Sequence, residues 1–322
     1  MKRTSFTVRT ATLVCTLMLG SINGSAAATD RVKIGVGPIY PTYAIFAAAK
    51  ELGYYAAQNL DVDVQTFRGR AAAQDALAAG TVDLCSVVPI EAMRAIEKGV
   101  KEHIVAMYAP ARAAGWYVMV PAASPITTVA ELNGKSIGVT RIGSLSDLWV
   151  QRAATLARIT LTSVPLDAGV EAGLIAKRVD AAVIRPPASY KGLLGGDLRA
   201  LVDLEAVLPP TISEGIAASG EMIDRRPDVL RRWLSATSKA VRYMQDNEGW
   251  TEAFLKRYFN DNDDQTIGMV YRNVIMRLNT SGAMHPDWIQ TSLALGAPPV
   301  APGGAAKLPL SGTVFSTAFT SK

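Results

Sequence analysis

The sequence predicts an α/β fold built from two similar halves, and three observations support this. The segment 76–89 reappears without a gap at 173–186, with Leu, Ala, Val, Asp and Pro at matching places. The tripeptide Ile-Gly-Val precedes each copy, at 34–36 and at 137–139. Short apolar runs alternate with segments of helical spacing, which favours a mostly parallel sheet covered by helices in each half. Two such halves leave a cleft between them, where small ligands commonly bind.

The first half begins at a strand over 32–37, which ends at Gly-Pro. Thr42 is expected to cap a helix over 43–53, because its hydroxyl can accept a hydrogen bond from the first turn. Alternating apolar residues then predict a strand over 60–67. The remaining predicted elements are a helix over 71–79, a strand over 82–88, a helix over 91–98 and a strand over 104–108.

The second half starts after a strand over 116–120 that leaves the first unit, followed by a Pro- and Ser-containing patch at 121–125. The pattern of strand and helix then restarts, which indicates a second unit of about the same size. Its predicted elements are a helix over 129–132, a strand over 136–139, a helix over 145–158, a strand over 161–164, a helix over 169–176 and a strand over 179–184.

The last third is predicted to be helical after a returning strand over 212–219. The predicted helices cover 227–246, 249–258, 264–277 and 286–295. Residues 296–312 are rich in Pro and Gly, which predicts a loop-like or partly disordered tail. We expect a signal peptide over 1–28, a discontinuous lobe I over 29–115 and 213–295, a lobe II over 116–212, and a tail over 296–322.

Composition and charge limit the classes of function that the chain can have. Of the 322 residues, 49% are hydrophobic and 19% charged, as in globular proteins with a sizeable core. Lys2, Arg3 and Arg9 carry three of the five net positive charges, so the rest of the chain carries about two. A nearly neutral body of this kind gives no support to nucleic-acid binding.

The first 28 residues have the layout of a secretory signal peptide: a basic start, a short apolar core and a small-residue site at 26–28. A retained anchor is the alternative, but the apolar core is shorter than the roughly 20 residues that span a bilayer. After removal of this leader, Cys85 is the single cysteine, so an intramolecular disulfide is excluded. We interpret Cys85 as a buried small apolar residue rather than a nucleophile.

The motifs of several enzyme classes are missing from the sequence. His103 and His285 are the two histidines, and no His/Cys/Asp cluster has the spacing of metal ligands. Neither a dinucleotide fingerprint, a phosphate-binding loop nor a Gly-x-Ser-x-Gly elbow occurs. We therefore expect no metal, no cofactor and no catalytic residue.

Candidate ligand residues follow from the ends of the predicted strands, where ligands bind in open parallel sheets. Gly143 and Ser144 join a strand to a helix, and the free N–H groups of that helix start could hold an anion; a plain capped helix is the alternative. Tyr40 occupies the corresponding loop of the first half and is either a ligand contact or a surface residue.

Arg185 stands out because the repeat places Val88 at the same position in the first copy, one residue before proline. A guanidinium at the end of an apolar strand needs an anion or an acidic partner. The anion can be a bound carboxylate or sulfonate, or the partner can be a structural acid such as Glu214 or Asp203. Arg68 is a further cationic candidate, together with Arg70.

The sequence resembles the nitrate/taurine/sulfonate class of solute-binding proteins that serve ATP-binding-cassette (ABC) importers. The resemblance rests on the leader, the paired Val-Asp segments, and Val-Ala-Glu-Leu-Asn-Gly-Lys-Ser-Ile-Gly-Val at 129–139 followed by Gly143-Ser144. It covers roughly residues 32–260 and implies a type II periplasmic-binding fold, with two mostly parallel sheets, flanking helices and a helical C-terminal part. The chain departs from the class at Arg68-Gly69-Arg70, where members often carry Gly-Gly, and in its Pro- and Gly-rich tail.

The resemblance also implies where the ligand lies and how the chain crosses between lobes, near 112–116 and 212–214. The residues placed at the ligand by this reasoning are Tyr40, Pro41, Thr42, Arg68, Gly69, Val88, Pro89, Trp116, Gly143, Ser144, Leu145, Arg185 and Glu214.

The function expected from these points is that of a monomeric periplasmic solute-binding protein rather than an enzyme. It would capture a small, anionic organic molecule and deliver it to the membrane permease of an ABC importer, with Arg185 holding the acidic group. Two alternatives remain: an enzyme of the thiamine-pyrimidine synthesis type on the same fold, and a binding lobe that reports to a membrane sensor.

Overall fold

The computed structural model describes residues 28–296 and 311–320. Its first unit, lobe I, alternates strands and helices along the chain as the sequence predicts. The elements of this first passage are β1 Asp30–Val36, α1 Ala44–Glu51, β2 Leu60–Thr66, α2 Arg70–Ala78, β3 Leu84–Val87, α3 Pro89–Glu97 and β4 Glu102–Ala106.

The second unit, lobe II, repeats the alternation. Its elements are β5 Tyr117–Pro121, β6 Lys135–Val139, α4 Leu145–Ala157, β7 Leu161–Pro165, α5 Val170–Ile175, β8 Ala181–Ile184, α6 Ala188–Gly195, β9 Leu198–Asp203 and α7 Leu204–Val207. The chain then returns to lobe I and becomes helical. The returning elements are β10 Gly215–Ser219, α8 Gly220–Arg225, α9 Pro227–Asp246, α10 Glu248–Phe259, α11 Asp264–Asn273, α12 Pro286–Gly296 and α13 Ser311–Val314.

The two sheets have the same topology. Lobe I has the strand order β2-β1-β3-β10-β4, and lobe II has β7-β6-β8-β5-β9. In lobe I, β1 is parallel to β2 and β3, whereas β10 is antiparallel to its neighbours. In lobe II, β6 is parallel to β7 and β8, and β5 is the antiparallel strand. Each antiparallel strand enters from the other lobe, through residues 107–116 and 208–214.

Packing within the sheets explains why the Ile-Gly-Val tripeptide occurs in both halves. Gly35 on β1 pairs with Cys85, and Gly138 on β6 pairs with Ala182, which is the equivalent residue of the second copy. A Cβ on Gly35 would lie 3.0 Å from the Phe67 ring, and one on Gly138 would lie 3.0 Å from Leu166. Both glycines therefore let a neighbouring apolar side chain approach the backbone of the sheet.

The core of lobe I is completed by the C-terminal helices, because α9 packs on α1. The fully buried Trp233 of α9 stacks on Tyr55 at a centroid distance of 6.3 Å and contacts Phe46 of α1 at 5.6 Å. α9 has one apolar face along its 20 residues, which explains why its helical period could be recognised in the sequence.

Several local predictions differ from the structure. Thr42 does not cap a helix: Pro41 starts a 3-10 turn over Pro41–Tyr43, and α1 begins at Ala44 without a side-chain cap. The segment Val129–Leu132 is a 3-10 turn, closed by a capping box between Thr128 and Glu131. The predicted helix over 264–277 ends at Asn273. Elements α6, β9, α7 and α8 were not predicted, because their apolar runs are short and lie beside Pro and Gly.

The residues that follow the predicted loop-like segment 296–312 pack on lobe I. Val314 and Phe315 are buried, and Phe315 forms a parallel bridge to Ile104 of β4. Residues 297–310 of that predicted tail lie outside the described residues, as do residues 1–27 of the predicted signal peptide. No helix in the described ranges has the length and apolar character needed to cross a membrane.

Candidate functional site between the lobes

A polar cavity lies where the two lobes and their two connections meet. Tyr40 and Arg70 of lobe I, Trp116 and Glu214 of the connections, and Trp149 of lobe II all line it. The volume at its centre is about 10 Å³, which is the space of a single water molecule. A larger ligand therefore requires the lobes to separate before it enters.

Tyr40 stands at the centre of an aromatic cluster in this cavity. The Trp116 Nε1–H donates to the Tyr40 hydroxyl at 2.9 Å, and the Tyr40 and Trp116 rings meet edge to face at 6.2 Å. Burial raises the pKa of Tyr40 to about 12, although the Arg185 charge acts in the opposite direction. The phenol is therefore neutral at physiological pH and keeps its proton for donation to an acceptor.

Trp116 is positioned by the glycine before it. Gly115 has a φ of +73°, and a Cβ there would collide with Tyr190 and Pro186. The Ser189 hydroxyl donates to the Gly115 carbonyl at 2.7 Å, which ties this connection to α6 of lobe II. The bend directs Trp116 against Trp149, with ring centroids 4.9 Å apart.

The floor of the cavity is a buried network around Glu214. Tyr43 donates a short hydrogen bond to Glu214 Oε1, and Arg70 Nη1 lies 3.3 Å from the same oxygen. Arg70 also faces Glu91, whose Oε2 lies 3.6 Å from its Nε. Burial acts to lower the pKa of Arg70, but Tyr43, Glu214 and Glu91 together raise it above its ordinary value. Arg70 therefore remains charged and is neutralised by protein carboxylates.

Arg185 differs from Arg70 in the groups that surround its guanidinium. It follows β8, is half-buried, and its guanidinium lies over the Tyr40 ring with Cζ 4.6 Å from the centroid. Among the described residues no carboxylate pairs with it: Glu214 is engaged by Arg70, and Asp203 accepts from the Glu205 N–H at 2.9 Å. The two structural acids considered as partners in the sequence analysis are therefore occupied elsewhere.

The Gly143–Ser144 loop does not offer the donors expected of it. The Gly143 N–H donates to Asp147 Oδ2 at 2.6 Å, and the Ser144 N–H donates to the Arg141 carbonyl at 3.1 Å. The Ser144 hydroxyl shares a hydrogen bond of 2.9 Å with Ser146 rather than capping α4. Donors of this helix that lack a backbone partner therefore begin at Leu145, which lines the cavity.

Some of the other predicted residues are buried next to the cavity, and others do not line it. Pro41 and Thr42 form the buried 3-10 turn after Tyr40, and Val88 and Pro89 line a neighbouring apolar cavity with Leu145. Arg68, in contrast, is exposed and does not line either cavity. Gly69 lies beside lobe II, because a Cβ on it would be 3.7 Å from the Arg141 guanidinium.

Of the two arginines considered after the second predicted strand, one lines the cavity, and so does a tryptophan that was not predicted. Arg70, not Arg68, turns inward, because α2 begins at Arg70 and its first turn faces Glu91 and Glu214. Trp149 is buried on α4, and its Nε1 has no hydrogen-bond partner among the described residues. The sequence feature that could have identified Trp149 is its position one helical turn after the start of α4. Thr42 Oγ1 is also buried, and no described residue hydrogen-bonds to it.

Cys85 is the free cysteine of the described residues, and it does not line the cavity. Burial raises the pKa of the Cys85 thiol well above its ordinary value, with the Glu102 and Glu91 charges acting in the same direction. A thiol in this environment is a poor nucleophile. Within residues 28–296 and 311–320, no group of three or more His, Cys, Asp or Glu side chains could hold a metal ion.

Two lobes of equal topology, joined by two connections around a polar cavity, define the class of two-lobed periplasmic-type ligand-binding folds. The chain belongs to the NMT1/THI5-like family, whose model matches residues 40–248. A Brucella abortus protein named as a candidate binding protein is 26% identical over 231 residues, which is 69% of this chain and 70% of its own.

Solved structures share the fold. The alkanesulfonate-binding protein SsuA from Xanthomonas axonopodis, bound to MOPS, superimposes with a TM-score of 0.70 at 19% identity, over 84% of this chain and 92% of its own. The zinc-bound ligand-binding component of an ABC-type import system from Staphylococcus aureus gives 0.69 at 19% identity, over 83% and 90%. The predicted two-lobed type II fold and the resemblance to sulfonate-type binding proteins are confirmed.

Proposed function

We propose that this protein is a periplasmic solute-binding protein that closes on a small organic anion and delivers it to the permease of an ABC importer. The observation that carries the proposal is the position of Arg185. Its guanidinium is half-buried at the interface of the lobes and lacks a carboxylate partner among the described residues. An unpaired guanidinium in such a place fits a ligand carboxylate or sulfonate, which it can hold with two parallel hydrogen bonds.

The neighbouring groups suit the same ligand. The Tyr40 hydroxyl accepts from Trp116 and keeps its own proton, and Trp149 Nε1 has no hydrogen-bond partner in the part of the chain that the structure describes. Both are donors, as an anion requires. The edges of the Trp116 and Trp149 rings supply apolar surface for the carbon skeleton.

Binding would occur by hinge closure. Arg185 and Trp149 belong to lobe II, whereas Tyr40 and Arg70 belong to lobe I, so a ligand contacts both sets only when the lobes are together. A ligand that gains contacts only in the closed state shifts the population towards that state. The water-sized central cavity fits a closed arrangement.

Export and transport are supported by the leader-like residues 1–28 and by the relatives. The fold neighbours include a component of an ABC-type import system and an alkanesulfonate-binding protein, and the Brucella relative is named as a binding protein. We infer a binding role rather than catalysis, because these relatives are named as binding proteins or components and because Cys85 is buried, has a raised pKa and does not line the cavity.

A thermal-shift screen of carboxylates, sulfonates and neutral pyrimidines tests the ligand class. A ligand at a hundred times its Kd adds about 2.7 kcal/mol of stability, which corresponds to roughly 5–10 °C in a chain of this size. Arg185→Ala should remove the shift, whereas Arg178→Ala, an exposed arginine of the same lobe, should preserve it.

Stabilisation by neutral compounds alone would contradict the anion site. An Arg185→Ala protein that fails to fold would instead assign Arg185 a structural role. Because Arg185→Lys keeps the charge but not the planar fork, it should retain weakened binding. Formation of a new product from a bound compound would replace transport by catalysis.

A further inference from the structure

A second cavity adjoins the polar one and shares Leu145 and Trp149 with it. Its volume is about 20 Å³. The start of α3 and helix α12 of lobe I form one side, and α4 of lobe II forms the other. The lining is therefore supplied by both lobes, as in the polar cavity.

The chemistry of this second cavity is apolar. Its apolar lining outside the shared pair is Val88, Pro89, Ile90, Leu148, Ile212 and Leu295. The two hydroxyls that also line it are engaged with the protein. Thr211 Oγ1 and Ser292 Oγ lie 2.7 Å apart, and Ser292 Oγ accepts from the Ile212 N–H at 2.8 Å. A water molecule would find few free partners here, so the space favours carbon.

Helix α12 completes this cavity from outside the segment that the family model matches. Residues 286–296 lie outside the segment 40–248 that the family model matches, yet Ser292 and Leu295 close the cavity. The helix is held in place by its packing on α3 and by the hydrogen bonds of Ser292 to the returning connection.

We propose that the second cavity receives an apolar substituent of the bound organic anion, and that Leu148 and Leu295 set the size of that substituent. The inference rests on the proposed function, because the charged end of the same ligand lies in the polar cavity near Arg185. A ligand that spans both cavities must pass Trp149, whose ring lines each of them. Lobe closure brings α4 against α3 and α12 and removes the substituent from water.

A homologous series of unbranched carboxylates and sulfonates, of one to six carbons, tests the inference by isothermal titration calorimetry. Burial of each CH2 group should tighten Kd about fourfold, until the cavity is full. Leu295→Trp should fill the cavity and abolish this gain while leaving the shortest anions bound. Ala294→Trp is the matched control, since Ala294 is the exposed neighbour on the same helix.

Leu148→Ala provides a second, independent variant and should move the optimum to a longer chain. A Kd that does not depend on chain length in the unmodified protein would overturn the inference but leave the anion site intact. An equal chain-length gain in Leu295→Trp and Ala294→Trp would also overturn it. If no anion of any length binds, both this inference and the proposed function are wrong.

Discussion

Asp83 and Asp180 perform the same structural task in the two lobes. The Asp83 carboxylate accepts the Lys33 N–H at 2.8 Å, and the Asp180 carboxylate accepts the Ser136 N–H at 2.8 Å. Each acid precedes one strand and holds it against the neighbouring strand that contains Ile-Gly-Val: β3 against β1 in lobe I, and β8 against β6 in lobe II. The Asp that both copies of the repeat contain therefore has a structural role. The two copies differ at the position next to proline, which is Val88 in the first copy and Arg185 in the second.

Replacement of Asp180 by Ala should destabilise lobe II by about 1–3 kcal/mol, because the Ser136 N–H loses its acceptor. The Ser136 hydroxyl, which also donates to Asp180, and the backbone N–H lower the pKa of this carboxyl below its ordinary value. A lowered pKa means that this stabilisation is present at neutral pH and is lost as the carboxyl becomes protonated in acid. Urea unfolding at pH 7 and pH 3 measures both effects, with exposed Asp224→Ala as control. Equal loss in the two variants would refute the assignment.

Gly35→Ala and Gly138→Ala should each cost about 1–3 kcal/mol, because the added methyl would overpack the sheet. The new Cβ would lie 3.2 Å from Ala73 in lobe I and 3.2 Å from Ala182 in lobe II. Gly249→Ala is the matched control: nothing lies within 4 Å of its would-be Cβ, and alanine favours helix α10 by up to about 1 kcal/mol. Thermal unfolding of the three variants gives the comparison. Unchanged stability of Gly35→Ala and Gly138→Ala would show that the neighbours relax freely.

Glu102 should make stability depend on pH near neutrality. It is buried, Oε1 accepts from Gln74 at 2.7 Å, and Oε2 has no partner among the described residues. Burial raises its pKa to about 7, against the opposing effect of Gln74. Since the folded-state pKa lies above the unfolded value of 4.5, the contribution of Glu102 to the free energy of unfolding is greatest below pH 4.5 and is lost as pH rises through 7.

The Glu102→Gln variant removes this titration. It should be more stable than the unmodified protein by roughly 1–3 kcal/mol at pH 8 and nearly equal at pH 5. Urea unfolding across pH 5–8 measures the difference, and exposed Glu97→Gln on α3 serves as the control. Parallel pH profiles for Glu102→Gln and the unmodified protein would contradict a buried, titrating Glu102.

The C-terminal segment should contribute to the stability of lobe I. Phe315 is buried beside Ile104, so Phe315→Ala should cost about 3–5 kcal/mol. Thr313→Ala, an exposed position on α13, should change stability by less than about 0.5 kcal/mol. Differential scanning calorimetry separates the two. A Phe315→Ala protein with an unchanged Tm would mean that this segment does not dock in solution.

Trp149 and Trp233 offer a paired test of the cleft. The Nε1 of each is buried without a hydrogen-bond partner among the described residues, but Trp149 lines the cavity and Trp233 lies in the core of lobe I. Trp149→Phe should weaken anion binding about tenfold or more, because a hydrogen bond to a charged acceptor is lost. Trp233→Phe should affect the unfolding free energy alone. Calorimetric titration with a ligand from the screen measures both, and equal affinities would remove Trp149 from the ligand contacts.

The general architecture could be predicted because its signals are local. Periodicity over a few residues distinguished strands from helices, and the Val-Asp repeat revealed two units of one topology. Short elements such as α6 and α7 escaped detection, because eight or four residues beside Pro and Gly carry too little periodic pattern. Of the predicted site residues, Tyr40, Trp116 and Glu214 line the polar cavity, and Arg185 lies over the Tyr40 ring.

The sequence by itself determined the α/β class, the duplicated lobe and the strand ends at which polar residues gather. Only the tertiary structure decided which charged side chains pair with one another within the protein. Glu214 is 144 residues from Arg70 and 171 from Tyr43, yet it binds both, and no carboxylate of the described residues pairs with Arg185. Pairing over such distances depends on how the two lobes are docked, and the spacing of residues along a chain does not encode that arrangement locally.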